Sequence, residues 1–235
     1  MMTLTQASYP TDVERKRFGQ PCPIESVELA WLTHPLCWLG NRTSMFVYKL
    51  GLLFKMAIRI QHPERLHHLP NQLIVVCNHQ HIFDIPLVAC CLPWQRPLAF
   101  MAKQELFESA FGRWYLQAMG SFAVNRGRLA KATIKSAKQV IEAPHWLLGL
   151  FPEGTREGGG DMSSMKQGAA FLVKATKAPV LPMVLTYHKE KDGLGRQCVT
   201  LTIGECLAWQ QSDTVESFSE SLQHTMQALL QKAPE

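Results

Sequence analysis

Short apolar runs alternate with amphipathic stretches along the chain from about residue 70 onward. Each run contains only four to eight residues, and its unbroken apolar character is typical of a strand buried on both faces of a sheet. The runs are LIVVC (73–77), LAFM (98–101), SFAV (121–124), WLLGL (146–150), VLPMVLTY (180–187) and CVTLTI (198–203). Strands that alternate with helices predict an α/β fold, in which a central, mostly parallel sheet is flanked by helices.

Helical periodicity is clear in two stretches of this region. Residues 127–143 carry apolar side chains at helical spacing, and residues 215–229 repeat the pattern near the C-terminus. Asp213 precedes Glu216 by three residues, which predicts an N-terminal cap for the last helix.

The N-terminal part of the chain has a different pattern. Residues 1–27 are polar and contain three prolines, which predicts a loose arm. Within residues 28–62, the stretch TSMFVYKLGLLFKMAIRI, together with Arg42 before it, fits a helix that is apolar around most of its circumference, with a single basic arc formed by Arg42, Lys49, Lys55 and Arg59. A basic amphipathic helix near Trp, Tyr and Phe is typical of a segment that lies in a membrane interface. The alternative is a helix that faces the core and has a solvated edge.

These patterns divide the chain into two predicted parts. Residues 1–62 form the N-terminal arm and the membrane-contacting helical segment, and residues 63–235 form the α/β domain. No stretch of about 18 apolar residues occurs, so we expect a peripheral or monotopic protein at the cytoplasmic face of a membrane.

Composition narrows the class of partner. Charged residues make up 18% of the 235 residues, and the formal net charge is +5. A mild basic excess suits an anionic partner such as a membrane surface or a phosphate. No run of five or six like charges marks a nucleic-acid tail, so we expect no nucleic-acid partner. Seven irregularly spaced cysteines predict reduced core thiols.

Polar residues follow four of the predicted strands directly. In an open α/β sheet the ligand site lies beyond the carboxyl ends of the strands, so these side chains are expected to converge. They are His79 and Asp84 after the first strand, Lys103 after the second, Arg126 after the third, and Glu153, Gly154, Thr155 and Arg156 after the strand at 146–150.

His79 and Asp84 have the chemistry of a general base and its partner. Histidine accepts a proton at neutral pH, and a carboxylate can hold its second nitrogen in the correct tautomer. The alternative is a structural histidine and a helix-capping aspartate, because this spacing is common by chance. A metal site is a weaker alternative, since the acid after His79-x-His81 falls one place too late and Ile85 stands where a histidine is needed. No GxSxG elbow is present, which favours direct transfer over a covalent intermediate.

The residues after the 146–150 strand suit an anion. Gly154 allows a tight turn whose N–H groups point at an oxyanion, Thr155 adds a hydroxyl, and Arg156 adds a fork matched to phosphate. Lys103 and Arg126 would add charge from neighbouring strand ends. Each of these residues has the alternative of a solvated turn. Glu153 could orient Arg156, contact the substrate or pair locally.

Four motifs in order carry a resemblance to a known family. They are NHQHIFD (78–84), KQELFESAFGRWYLQAMGSFAVNRGR (103–128), FPEGTR (151–156) and VLPMVL around Pro182 (180–185). Together they resemble the blocks of the glycerolipid acyltransferases, whose best-known members are 1-acyl-glycerol-3-phosphate acyltransferases. The resemblance implies an O-acyltransferase that moves a fatty acyl group from an acyl thioester to the free hydroxyl of a lysophospholipid. The expected acceptor is 1-acyl-sn-glycerol-3-phosphate, which would give phosphatidic acid.

The resemblance also implies roles for the site residues. His79 and Asp84 are expected to be catalytic, and the acceptor phosphate is expected near Lys103, Arg126 and Arg156, with Glu153, Gly154 and Thr155 in the same site. Acyl-CoA or acyl-carrier protein is expected as co-substrate, without a metal or another cofactor, and membrane phospholipid as partner. The alternatives are a non-catalytic module that binds anionic lipid and an acyltransferase for another lysolipid.

Some positions depart from the family pattern. His81 stands where many relatives carry a serine, and Ala110 replaces a frequent proline. The segment after FPEGTR is rich in glycine rather than basic, although Lys166 and Gly168 restore the pattern. These departures concern the acceptor, because contacts with its head group are expected near position 81 and in the 157–166 loop.

Overall fold

The computed structural model describes residues 35–118, 120–124, 131–143, 145–154 and 165–231. Their centre is a seven-stranded sheet whose strands lie in the order β1-β7-β6-β2-β5-β3-β4. The strands are β1 (Met56–Gln61), β2 (Ile74–Cys77), β3 (Leu98–Lys103), β4 (Ser121–Val124), β5 (Leu147–Leu150), β6 (Val180–Lys191) and β7 (Gln197–Ile203). Six of them were predicted from the apolar runs, and their bounds agree closely except at the end of β6.

The strand directions confirm the predicted sheet. Strands β2 to β6 run parallel to one another, β7 pairs with β6 in the antiparallel direction, and β1 runs parallel to β7. All carboxyl ends of β2 to β6 therefore lie at one edge, which we call the carboxyl edge. Because β1 runs the opposite way, it starts at that same edge.

Helices cover both faces of the sheet. They are α1 (Pro35–Lys55), α2 (Asp84–Cys91), α3 (Ala110–Ala118), α4 (Lys131–Glu142), α5 (Gly168–Thr176) and α6 (Val215–Gln231), with 3-10 turns at Pro63–Leu66 and Gln104–Phe107. Successive strand residues point to opposite faces. In β2, Val75 therefore packs in the cluster that includes residues of α1 and α2, whereas Ile74 and Val76 pack with α4, α5 and α6.

The N-terminal helix is shorter than predicted. It ends at Lys55, and residues 56–61 form β1, which pairs residue by residue with β7. The prediction was wrong here because Ile58 and Ile60 alternate with polar residues in a strand pattern that also continues the apolar part of the helical wheel. Arg59 consequently lies on an edge strand rather than on the helix. The proposed domain boundary after residue 62 stays a prediction, and the arm at 1–27 lies outside the described residues.

Arg42 also departs from the predicted basic arc. Its side chain is buried, donates a hydrogen bond of 3.0 Å to the carbonyl of Trp94, and bonds to the Asn41 side chain. The guanidinium lies 5.4 Å from the centre of the Trp94 ring. Burial lowers the pKa of Arg42 to about 10. The exposed cations of α1 are therefore Lys49 and Lys55.

The cap of the last helix lies one residue later than predicted. Thr214 Oγ1 accepts the N–H of Ser217 at 3.1 Å, and Ser217 Oγ accepts the N–H of Thr214 at 2.9 Å. Asp213 instead accepts the N–H of Gln210. None of the described helices is both long and apolar enough to span a bilayer.

Candidate active site

The loop from β2 to α2 brings His79 and Asp84 together. The Nδ1 atom of His79 lies 2.9 Å from Asp84 Oδ2. Asp84 is the first residue of α2, and Pro86 lies in the first turn, where its missing N–H costs no helical hydrogen bond. Both side chains are buried, Asp84 completely. An ionised carboxylate only accepts hydrogen bonds, so Nδ1 carries the proton and Nε2 is the nitrogen that can accept one.

Four donors converge on the carboxylate of Asp84. Besides His79, the backbone N–H groups of Gln80 and His81 each lie 2.6 Å from Oδ2, and the hydroxyl of Tyr187 lies 2.5 Å from Oδ1. Burial, the hydrogen bond to Asp84 and the charge of that carboxylate raise the pKa of Tyr187 well above its usual value. Tyr187 therefore stays protonated and donates its hydroxyl proton. The carboxylate of Asp84 accepts all four hydrogen bonds.

Asn78 anchors the start of this loop to the neighbouring strand. Its Nδ2 donates to the carbonyl of Leu185 at 2.9 Å, and its Oδ1 accepts the N–H of Leu185 at 2.7 Å. The side-chain amide thereby continues the ladder between β2 and β6 after β2 has ended at Cys77. His79, the next residue, is held against the sheet.

The FPEG turn after β5 supports His79 from the other side. The ring of His79 stacks on Phe151 with 4.2 Å between ring centres, and Phe151 stacks on Phe100 at 5.5 Å. Glu153, which is buried, accepts the backbone N–H of His79 through Oε1 at 3.3 Å. The structure thus shows a local positioning contact for Glu153.

Gly154 closes the FPEG turn in a left-handed conformation. Its φ is +75°, and its N–H donates to the carbonyl of Phe151 at 3.1 Å. A Cβ atom at this position would lie 3.0 Å from Lys166 Nζ. Glycine fits here because it adopts a positive φ at little cost and leaves room for the lysine.

The predicted cations are only partly described. Lys103 ends β3 at the carboxyl edge, where its exposed ammonium lies 3.2 Å from Glu105. In the sheet, β5 lies between β3, which ends at Lys103, and β2, which precedes His79. Arg126, Thr155 and Arg156 lie outside the described residues, so their predicted roles stay predictions.

The sequence did not single out Tyr187 or Phe151 as site residues. Tyr187 was counted as the last residue of an apolar strand, and Phe151 as part of a motif whose polar members drew attention. The period of two along β6 places Tyr187 on the same face as Leu185, and this was the available signal. Among the described residues no three His, Cys, Asp or Glu side chains are arranged to hold a metal ion.

Comparison with known proteins defines the family. A family model described as Acyltransferase matches residues 57–186, which is more than half of the chain. The chain therefore belongs to the acyltransferase family.

Individual relatives share a more specific name. The chain is 27% identical over 172 residues to the 1-acyl-sn-glycerol-3-phosphate acyltransferase of Streptococcus pneumoniae, covering 70% of this chain and 63% of the relative. It is 27% identical over 176 residues to 1-acyl-sn-glycerol-3-phosphate acyltransferase beta of Homo sapiens, covering 72% of this chain and 61% of the relative. The chain thus spans slightly less than two thirds of the length of these curated relatives.

A solved structure shares the fold. The crystal structure of the 1-acyl-sn-glycerophosphate (LPA) acyltransferase of Thermotoga maritima matches with a TM-score of 0.60 and 22% identity, over 85% of this chain and 79% of that chain. This similarity confirms the predicted α/β architecture.

Proposed function

We propose that the protein transfers a fatty acyl group from an acyl thioester to the free hydroxyl of 1-acyl-sn-glycerol-3-phosphate, giving phosphatidic acid. The observation that carries the proposal is the buried His79–Asp84 pair at the carboxyl edge, with Nδ1 of His79 held 2.9 Å from the carboxylate. The family supports the reaction class, and the names of the relatives support the acceptor.

In the proposed reaction His79 acts as the general base. Its Nε2 takes the proton of the acceptor hydroxyl as that oxygen attacks the thioester carbonyl carbon. The tetrahedral intermediate then collapses, the carbon–sulfur bond breaks, and the imidazolium returns the proton to the departing thiolate. The charge of Asp84 stabilises the imidazolium between these steps. A positioned base of this kind contributes roughly 10²–10⁴ in rate.

The protein environment favours direct attack over a covalent acyl-enzyme. Cys77 is the thiol next to the site, and it is buried at the end of β2. Burial and the neighbouring charge of Asp84 raise the pKa of Cys77 well above its ordinary value. A thiol that stays protonated is a poor nucleophile, so Cys77 is unsuited to carry the acyl group.

The acceptor phosphate is proposed to lie near the cations of the carboxyl edge. Lys103 and the Gly154 turn lie at this edge. The motifs of the sequence add Arg126 and Arg156 as candidate ligands and Thr155 as a candidate hydroxyl donor. Holding the head group would orient the hydroxyl toward His79, and orientation itself supplies a large part of the rate of a transfer reaction. Acyl-CoA and acyl-carrier protein are both candidate donors.

Helix α1 is proposed to lie in the interface of the cytoplasmic face of a membrane. Its exposed apolar side chains are Leu39, Phe46, Val47, Leu50, Leu53 and Phe54, and Phe54 is 76% exposed. Lys49 and Lys55 lie among them and suit anionic head groups. Lys55 Nζ is 5.9 Å from the ring of Phe83 in the loop between β2 and α2 (residues 78–83), which we call the catalytic loop. The exposed face of α1 therefore continues to the candidate active site.

A vesicle-binding experiment tests the membrane proposal. Replacing Phe46 and Phe54 together by serine removes two exposed rings, each of which contributes about 1.5–3 kcal/mol when buried. We expect binding to vesicles with anionic lipid to weaken at least about tenfold. Phe171→Ser on α5 is the matched control, because it also removes an exposed phenylalanine. Equal binding of both variants and the unsubstituted protein would refute the proposal.

The reaction is tested with purified protein and defined substrates. Acyl-CoA and acyl-carrier protein are supplied in turn with lysophosphatidic acid, lysophosphatidylcholine or a lyso-aminolipid, while thiol release and the lipid product are measured. We expect thiol release that depends on lysophosphatidic acid and equals the phosphatidic acid formed. Transfer to another lysolipid alone would correct the acceptor. Vesicle binding without transfer to any acceptor would indicate a non-catalytic lipid-binding module.

A further inference from the structure

The carboxylate of Asp84 is held from two sides by different parts of the chain. Its Oδ2 atom accepts the bonds from its own loop, including that of His79, whereas its Oδ1 atom accepts the hydroxyl of Tyr187 from β6. Tyr187 lies just beyond residues 57–186, which match the family model, and beyond the four sequence motifs.

We propose that Tyr187 is a positioning residue that fixes the rotation and the charge distribution of Asp84, and through it the orientation of the His79 ring. This inference rests on the proposed function of the pair. A carboxylate can rotate about its Cβ–Cγ bond, and one atom bonded on each side prevents that rotation. The hydroxyl also draws negative charge toward Oδ1, which sets how much charge Oδ2 presents to the imidazole.

The surrounding contacts hold Tyr187 in register with the catalytic loop. Asn78 bonds to both backbone groups of Leu185, two residues before Tyr187 on the same face of β6. The ring of His81 lies 5.8 Å from the Tyr187 ring and 5.2 Å from that of Phe83. The strand that carries Tyr187 is therefore anchored to the loop at a second point. The position of the Tyr187 hydroxyl is set by these contacts as well as by the rotamer of its own side chain.

The sign of the expected effect follows from the charge on Asp84. Without the hydroxyl, Oδ2 carries a larger share of the negative charge and stabilises the protonated His79 ring more strongly. His79 then becomes available as a base only at higher pH. A residue that merely filled space beside the site would leave this pH dependence unchanged.

Tyr187→Phe is the first test, with Tyr115→Phe as the control that removes a hydroxyl from another half-buried tyrosine. We expect kcat of Tyr187→Phe to fall about tenfold, the lower end of what one hydrogen bond to a charged group contributes. The acceptor KM should stay near its original value, and the acid limb of the pH–rate profile should move to higher pH. A folded Tyr187→Phe protein with the original kcat and pH profile overturns the inference.

A second variant keeps the hydroxyl and reverses the sign. Site-specific replacement of Tyr187 by difluorotyrosine gives a more acidic phenol that donates more strongly to Asp84, so the acid limb should move to lower pH. Movement in the same direction as for Tyr187→Phe, or no movement, contradicts the inference. This variant remains informative if Tyr187→Phe fails to fold.

A spectroscopic readout separates this inference from the proposed function. The ring N–H proton shared between His79 and Asp84 is observable by proton NMR, and its resonance should shift in Tyr187→Phe but not in Tyr115→Phe. An unchanged resonance overturns the positioning role. A shifted resonance in a protein that transfers no acyl group supports the coupling and refutes the proposed reaction alone.

Discussion

Replacing Asp84 by asparagine removes one negative charge while changing the size of the side chain very little. The oxygen of the new asparagine amide must occupy the place of Oδ2, because three N–H groups point at that atom from 2.6 to 2.9 Å. The new amide nitrogen must therefore take the place of Oδ1, where the oxygen of Tyr187 can rotate its proton away and accept the bond. We expect the geometry of the loop to survive this substitution.

The lost charge of Asp84 determines how far kcat should fall. At the 2.9 Å separation of the pair, an effective dielectric of about 20 gives an upper limit of about 6 kcal/mol for the attraction between imidazolium and carboxylate. The difference between a charged and a neutral hydrogen bond sets a lower limit of about 1–2 kcal/mol. An intermediate loss of about 4 kcal/mol corresponds to a fall in kcat of roughly 10³.

The assay is steady-state acyl transfer at saturating donor and acceptor, with thermal unfolding followed by circular dichroism. Asp213→Asn is the matched control, because Asp213 also accepts a backbone N–H but lies before α6. A folded Asp84→Asn protein that keeps the kcat of the control refutes the role assigned to the charge. An effect confined to the acceptor KM would show instead that Asp84 acts in binding.

Three further predictions concern the support of the site and the stability of the fold. Asn78→Ala leaves both backbone groups of Leu185 in buried β6 without the amide, so urea unfolding should show a loss of about 2–3 kcal/mol. Gly154→Ala places a Cβ at a φ of +75° and 3.0 Å from Lys166 Nζ, and calorimetry should show a lower Tm with a cost of at least about 1 kcal/mol. Burial raises the pKa of Cys77 well above its ordinary value and that of Cys91 to about 12, so these thiols stay protonated when folded and ionise when unfolded above about pH 8.5. Urea unfolding under reducing conditions should therefore show a stability that falls progressively from pH 8.5 to 11. A stability that rises over that range would contradict this assignment.

The strands of the parallel part of the sheet were predictable because burial on both faces leaves an unbroken apolar run. Strand β1 was not, since Ile58 and Ile60 alternate with polar residues directly after a helix. Its partner β7 lies about 140 residues away, as in the pair Met56 and Gln197, so no local signal identifies the pairing. The alternation at Ile58 and Ile60 did not stand out, because the predicted helix was already apolar around most of its circumference.

The residues of the candidate site also differ in whether a local sequence signal identifies them. His79, Asp84 and Glu153 were identified because polar residues at strand ends stand out against apolar runs, and the structure brings these three together. Tyr187 reaches Asp84 across 103 residues of sequence, and an aromatic residue within a strand is usually part of the core. Arg42 illustrates the opposite case, since a sequence-based wheel cannot show that the carbonyl and ring of Trp94 bury a guanidinium.

In the proposed reaction the imidazole of His79 removes the proton from the acceptor hydroxyl. The measurement is the single-turnover rate of acyl transfer from acyl-CoA to lysophosphatidic acid for His79→Ala, beside that for His68→Ala. His68 is an exposed histidine between the end of β1 and the start of β2, at the edge of the sheet opposite the carboxyl edge. Loss of the base predicts a rate at least about 10²-fold lower for His79→Ala and an unchanged rate for His68→Ala. Transfer by folded His79→Ala at the rate of the unsubstituted protein would contradict the role of His79 as the general base.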